Sequence, residues 1–322
     1  MDLFMINTEN DILWGIGDEN KEEIPKKIWV YWESSEPSPI VEICLKQIRK
    51  LNKGYELMVL NSSNLVSFLP DILPFREDLP FANYSDIIRL NLLYEYGGIW
   101  IDASTLLTED FSWLENLKSN ENADVIGFCA DHFMTDFSFP ILETWFLACP
   151  PKNKFIKEWL YEFEACYWME EPIDYFEKEL SEENFSQGFD EQLQMYLICY
   201  LAAMKVMRKN DRFRLYMKKA SLSAHYYMFG KEKLLPHKLA YRILKEEERF
   251  FIPPYMIKLT QSRRKEIDYW INTGRYSKKG LLFKMYNESN FWVKKMMRFP
   301  NYIKFIVRNV IKCLNVNTIA RK

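Results

Sequence analysis

Ser85-Asp86-Ile87-Ile88-Arg89 stands a short way before Tyr96-Gly97-Gly98-Ile99-Trp100-Ile101-Asp102. Between them they read as a helix, a glycine break and a buried strand that ends on a carboxylate. Ser85 suits a helix N-cap, and residues 86–96 contain neither Gly nor Pro. Gly97 sits where a glycine free to take positive φ ends a helix. Ile99-Trp100-Ile101 is apolar and too brief to be a helix, so it reads as a strand. Asp102 follows it, and in open α/β sheets ligands gather just outside the carboxyl ends of strands. Asp86 and Arg89, three apart, share one helical face and can point at the same crevice. Two carboxylates and an arginine at one strand edge make a polar site, whose plain alternative is an exposed i,i+3 ion pair worth under about 1 kcal/mol.

Outward from this unit the pattern is that of an α/β protein. Residues 27–32 (Lys-Ile-Trp-Val-Tyr-Trp) are β-branched and aromatic and predict the first strand. Residues 39–52 predict an amphipathic helix with Ile40, Ile43, Cys44 and Ile48 inward, and Tyr55–Leu60 predicts a second strand. Strand–helix–strand alternation argues for parallel pairing. Residues 61–80, with Pro70, Pro74 and Pro80, predict a connecting loop holding a short helix. Asp124–Cys129 and Leu142–Cys149 read as further buried strands, and residues 153–169 and 189–209 as helices. Residues 170–188 carry seven acids and few apolar residues, which predicts an exposed insertion. The division expected is an N-terminal helical segment over 1–23, one large domain over 24–290 and a basic amphipathic tail over 291–322.

Composition sets outer bounds. A chain of 322 residues, 48% apolar and 27% charged, is long enough for one large globular domain. No run approaches the 18 apolar residues of a spanning helix, and the acids at Asp2, Glu9, Asp11, Asp18, Glu19, Glu22 and Glu23 are unlike a signal peptide. The expectation is a cytoplasmic protein. Cys44, Cys129, Cys149, Cys166, Cys199 and Cys313 lack metal or redox spacing and read as buried thiols. After Glu288 no acid appears while eight basic residues do, leaving 35 basic against 45 acidic residues up to and including Glu288. In that tail Ile303, Ile306, Val307, Val310, Ile311 and Leu314 make one helical stripe and Lys304, Arg308 and Lys312 another. This is the pattern of a helix lying in an anionic membrane interface, the alternative being a helix docked on the domain with its basic face outward. Nucleic acid is not expected as a partner, because no recognition module is present.

The ordered set Ile24-Pro25-Lys26, Trp32, Ser85-Asp86-x-x-Arg89, Tyr96-Gly97-Gly98, Asp102-Ala103-Ser104 and Lys258-Leu259-Thr260 resembles family 32 glycosyltransferases, in particular their bacterial capsular polysaccharide branch. The resemblance implies a GT-A fold, a Rossmann-like mixed sheet flanked by helices. It further implies a retaining enzyme moving a hexose from a nucleotide sugar, UDP-linked, to a lipid-linked oligosaccharide at the inner face of the cell membrane. Trp32 would stack on the base, and Ser85, Gly98, Asp102 and Lys258 would hold the donor. Asp86, Arg89 and Asp190 would serve the reaction, Asp190 from the start of the 189–209 helix. A divalent ion, Mn²⁺ or Mg²⁺, would be held at Asp102 and Ser104, with His225 completing its shell. Ser104 departs from the family's second acid, and a neutral hydroxyl is a poorer ligand for a hard cation. Two other readings accompany this one: a host-directed glycosylating toxin domain, and a nucleotide-sugar binder without activity.

Overall fold

A computed structural model describes residues 5–7, 11–17, 22–34, 36–134, 137–170, 174–175, 177–178, 194–247, 251–286 and 299–311. An eight-stranded mixed sheet forms its centre. In chain order the strands are β1 (Met5–Asn7), β2 (Asp11–Trp14), β3 (Lys27–Tyr31), β4 (Glu56–Leu60), β5 (Gly98–Ile101), β7 (Val125–Cys129), β8 (Leu142–Cys149) and β9 (Leu215–Lys219). Across the sheet they run β1-β2-β9-β7-β8-β5-β3-β4. β3 pairs in parallel with both β4 and β5, and β7 with β9, while β8 runs antiparallel between β5 and β7. A small second sheet pairs β6 (Thr105–Leu107) with β10 (Met256–Lys258).

Both faces of the sheet are covered, as near-continuous apolar strands require. Along β3, Ile28 and Val30 join one buried cluster with Ile99 and Ile101 of β5, whereas Trp29 and Trp100 join the other. Helix α1 (Pro39–Leu51) packs into the first cluster through Ile40, Ile43, Cys44 and Ile48, the four positions its period assigns inward. Helices α3 (Phe81–Tyr96), α5 (Lys154–Tyr167) and α6 (Gln194–Lys209) close the other face. Between α1 and α3 lies the expected short helix, α2 (Ser62–Leu65), capped reciprocally by Asn61 and Asn64. Helices α4 (Ser112–Glu121), α7 (Pro236–Leu244), α8 (Gln261–Asn272) and α9 (Leu281–Tyr286) complete the first set, and residues 299–311 form a further helix. Five of the cysteines are buried thiols; Cys313 lies outside the described residues.

Two expectations need correction. The N-terminal segment is not helical where described: β1 and β2 form a hairpin that extends the sheet through β9. Ile12, Leu13 and Trp14 are all buried, a three-residue apolar run better satisfied by ladder bonds than by a helix. Asp11 fixes the register by accepting from the Tyr216 hydroxyl and pairing with Lys218 at 3.1 Å. The second correction concerns Ser85. Helix α3 begins at Phe81 after Pro80, so Ser85 lies inside the helix and not at its cap. Gly97 ends α3 with φ 61° and ψ −159°, and a Cβ there would stand 2.4 Å from the Pro151 nitrogen. Most of the expected 170–188 insertion lies outside the described residues.

Candidate active site

α3 leads through Gly97 directly into β5, so the helix face bearing Asp86 and Arg89 lies along the strand that ends at Asp102. Arg89 is 4% exposed and Asp86 2%. The Arg89 guanidinium pairs with Asp86 through Nη1 and reaches Asp102 Oδ1 through Nη2 at 3.0 Å. It lies 4.9 Å from the centre of the Trp100 ring, whose Nε1 donates to the same Asp102 oxygen at 3.1 Å. The Ser85 hydroxyl accepts a long bond from Arg89, 3.4 Å. The exposed ion pair considered from spacing alone is therefore a buried network.

The other Asp102 oxygen is taken by Lys258 at the end of β10. Burial opposes ionisation of Asp102, but the Lys258 and Arg89 charges outweigh it and hold the carboxyl below its usual range. Ser104 is 5% exposed; its hydroxyl donates to the Leu259 carbonyl at 3.1 Å and lies 3.5 Å from Lys258 Nζ. In this arrangement the Asp102–Ser104 pair does not fit a hard divalent ion, since cations of the chain already meet both carboxylate oxygens and the one hydroxyl donates elsewhere. What the pair does is aim Lys258.

Because β3 and β5 are parallel neighbours, Trp32, just past the end of β3, stands on the same sheet edge as Asp102. Trp32 is half-buried, and the Arg264 guanidinium lies 5.0 Å from its ring centre. Arg264 belongs to the first turn of α8, six residues beyond Lys258. Trp29 faces the core, its Nε1 donating to the Gly97 carbonyl at 2.8 Å. Gly98 has φ 95°, and a Cβ there would meet the Lys27 carbonyl at 2.7 Å, so close strand packing accounts for this glycine. Asp190 lies outside the described residues.

His225 turns away from Asp102 in its polar contacts. Its Nδ1 lies 3.4 Å from Glu143 Oε1, and its ring packs 5.3 Å from His132 and 5.6 Å from Trp145. The Trp145 carbonyl takes the Asp102 N–H at 2.9 Å, which places this second cluster beside the first. Burial pushes Glu143 up to about 7, His132 down to about 4 and His225 well below the usual imidazole value. Glu143 and His132 escaped the sequence reading. The usable signal was an acid one residue inside a largely apolar eight-residue strand.

The model for capsular polysaccharide synthesis proteins matches residues 16–181, a little over half of the chain. This chain belongs to that family. The matched span begins just after β2, runs past α5 and includes Trp32, Asp86, Arg89 and Asp102, while Lys258 and His225 lie beyond it. The O-glycosyltransferase braB of Annulohypoxylon truncatum is 27% identical over 161 residues, which is 44% of this chain and 38% of that protein. The chain thus spans about two fifths of the length of this curated relative. Among solved structures, the PaToxG glycosyltransferase aligns over 58% of this chain and 79% of its own, at 17% identity and a TM-score of 0.31. The ligand-free glycosyltransferase domain of the YGT toxin aligns over 66% and 82%, at 11% identity and a TM-score of 0.37. At those scores the likeness is slight.

Proposed function

We propose that this member of the capsular polysaccharide synthesis family is a glycosyltransferase that moves a hexose from a nucleotide sugar, UDP-linked, onto a lipid-linked oligosaccharide. The reaction retains configuration at the sugar and belongs to capsule or exopolysaccharide assembly. Assignment to family 32 and its bacterial branch is part of the same reading. The observation that carries it is the convergence of Asp86, Arg89, Asp102 and Lys258 at the carboxyl end of β5, with Trp32 on the same edge.

Sugar transfer breaks a bond to a diphosphate, and negative charge grows on the leaving oxygen. Fixed donors aimed at that charge are commonly the largest catalytic effect. Lys258 and Arg89 supply such charge, held in place by Asp102 and backed by the Trp100 ring. Asp86, oriented by Arg89, accepts hydrogen bonds from sugar hydroxyls. Trp32 stacks on the base, a contact worth about 1–3 kcal/mol, and Arg264 behind its ring strengthens that platform. Asp190 is assigned to the reacting sugar. Nucleotide-sugar transferases of this kind often use Mn²⁺ or Mg²⁺, which when bound supply Lewis-acid charge to the diphosphate; here Lys258 stands where that charge is needed.

Residues 24–290 are the catalytic unit and 291–322 a membrane-binding tail at the inner face of the cell membrane. Among the described residues no helix is long and apolar enough to cross a membrane. In helix 299–311, Phe299, Ile303, Ile306, Val307, Val310 and Ile311 are exposed, while Phe305 meets Tyr269 and Arg275 of the domain. An apolar stripe left outside the core favours the interface reading over the docked helix.

The test is hydrolysis of a panel of nucleotide sugars by the purified chain, with thermal shift reporting binding. A UDP-hexose should be hydrolysed slowly, and Asp102→Asn should lower that rate by about a hundredfold, as loss of an electrostatic partner does. A shift in melting with no hydrolysis of any donor would replace the transferase by a binding protein. Unchanged turnover in Asp102→Asn would move the site elsewhere.

A further inference from the structure

Beside the Asp102 network lies a second polar cluster with chemistry of its own. His132 comes from the short turn after β7, Glu143 from the start of β8, and His225 from the loop after residues 220–222. One nitrogen or oxygen from each lies within 4.8 Å of the other two. His225 and Glu143 are each 5% exposed. Both His132 nitrogens and His225 Nδ1 are buried, and none of the three makes a hydrogen bond among the described residues. Burying such nitrogens without partners is costly.

The surroundings hold the three groups in place. The His132 ring stacks on Phe229 at 3.9 Å and 14°. The Glu143 Oε2 accepts from the Tyr200 hydroxyl at 3.2 Å, the kind of outer hydrogen bond that orients a ligating carboxylate. Asp131, adjacent to His132, accepts from the Ser221 N–H at 2.9 Å and from its hydroxyl, tying the two turns together. The His225 backbone N–H donates to the Ala220 carbonyl at 2.8 Å.

We propose that His132, Glu143 and His225 bind one divalent transition-metal ion of the zinc or cobalt kind, at a site separate from Asp102 and Ser104. Two imidazoles and one carboxylate are the donor set of a three-ligand zinc centre with an open fourth position. Hard Mg²⁺ favours carboxylates, phosphates and water, and finds only one such group here. Bound at about 2.1 Å, ligand atoms stand roughly 3–4 Å apart, so the three side chains close by about an ångström on the ion. The ion joins the β7 turn, β8 and the His225 loop. The carbonyl of neighbouring Ala224 receives the Lys258 N–H at 2.9 Å, so this bridge steadies the strand that carries Lys258.

The experiment uses the full chain, purified without a polyhistidine tag, stripped with a chelator and titrated with Co²⁺. Visible absorption reads the coordination and elemental analysis the stoichiometry. The expected result is one equivalent of Co²⁺ with the intense spectrum of a four- or five-coordinate site, displaced by Zn²⁺ but not by excess Mg²⁺. His132→Phe keeps an aromatic ring against Phe229 and removes the ligand; it should weaken Co²⁺ binding by roughly tenfold or more. Asp102→Asn should leave Co²⁺ binding unchanged. A wild-type titration without that spectrum overturns the proposal, and so does full affinity in His132→Phe. Loss of Co²⁺ in Asp102→Asn with retention in His132→Phe would put the ion on the Asp102 triplet. If His132→Phe does not melt cooperatively, the wild-type spectrum and its Zn²⁺ and Mg²⁺ competition decide alone. These readouts involve no sugar donor, so their failure is independent of the transferase reading.

Discussion

Arg89 connects stability and chemistry in one side chain. With Asp86 and Asp102 both paired to it and Arg89 4% exposed, its removal leaves one fully buried carboxylate without its partner and a second supported by Lys258 and the Trp100 N–H. Breaking a buried ion pair in this way costs about 3–5 kcal/mol. Arg89→Ala should therefore lower the denaturation midpoint by that order as well as abolish turnover, whereas Arg89→Lys should recover part of the stability. Equilibrium urea unfolding of the two variants measures the difference; an Arg89→Ala protein of native stability would mean that water reaches the pair. Glu143 gives a pH prediction of known sign. Burial raises its carboxyl to about 7, so the folded chain holds the proton more tightly than the unfolded one. The stability tied to that proton is complete below the unfolded value near 4.5 and is lost as pH rises through about 7. In the presence of a chelator, Glu143→Gln should melt close to wild type at acid pH and gain on it by about 1–3 kcal/mol above pH 7. Thermal melts across that window check it, and parallel curves for the two proteins would show that Glu143 ionises freely.

At the scale of elements, the α3–Gly97–β5 unit makes the sharpest demand. Gly97 adopts φ 61°, and its missing Cβ leaves room for the Pro150–Pro151 turn. Gly97→Ala adds strain at positive φ and a clash with backbone, so it should destabilise by more than the roughly 1 kcal/mol of an ordinary Gly-to-Ala mismatch. A calorimetric scan in which Tm does not fall would show that the turn can give way. This unit was legible in the sequence because its signals are local: a glycine pair, an apolar triplet and a terminal acid. The same holds for α1, whose inward positions follow from period alone, and for β8, bounded as expected at Leu142 and Cys149. Helix α3 starts five residues before its expected first residue because Pro80 is also a good helix entry, and its conformation competes with the cap offered by Ser85. The β1–β2 hairpin was not legible, since its stability comes from β9, some two hundred residues away. The site divides the same way. Asp86, Arg89 and Asp102 follow from one short segment, and a family motif was needed to add Lys258. The Glu143–His132–His225 cluster joins three distant segments with no motif to announce it.

The whole molecule sets an acidic body against a basic end, 45 acidic and 35 basic residues up to and including Glu288 and eight basic residues with no acid after it. Helix 299–311 meets the domain through Phe305, which lies 6.0 Å from Tyr269 and 4.2 Å from the Arg275 guanidinium. Its Ile303, Val307, Val310 and Ile311 are about half exposed. A helix that meets the domain through Phe305 with its apolar stripe outward is suited to enter a bilayer surface without unfolding anything beneath it. On the proposed membrane reading, attraction of about 1 kcal/mol per basic residue near an anionic surface gives salt-dependent binding, and burial of the stripe adds a part that salt leaves untouched. Removing residues 299–322 should release the protein from anionic liposomes and leave the Tm of the domain within a few degrees of wild type. Hydrolysis of soluble donor should persist, while transfer to a lipid-linked acceptor falls because the two substrates no longer meet on one surface. Liposome sedimentation at low and high salt, run beside both assays, separates the cases. A truncated chain that still sediments places the anchor elsewhere, and one that unfolds makes helix 299–311 part of the core.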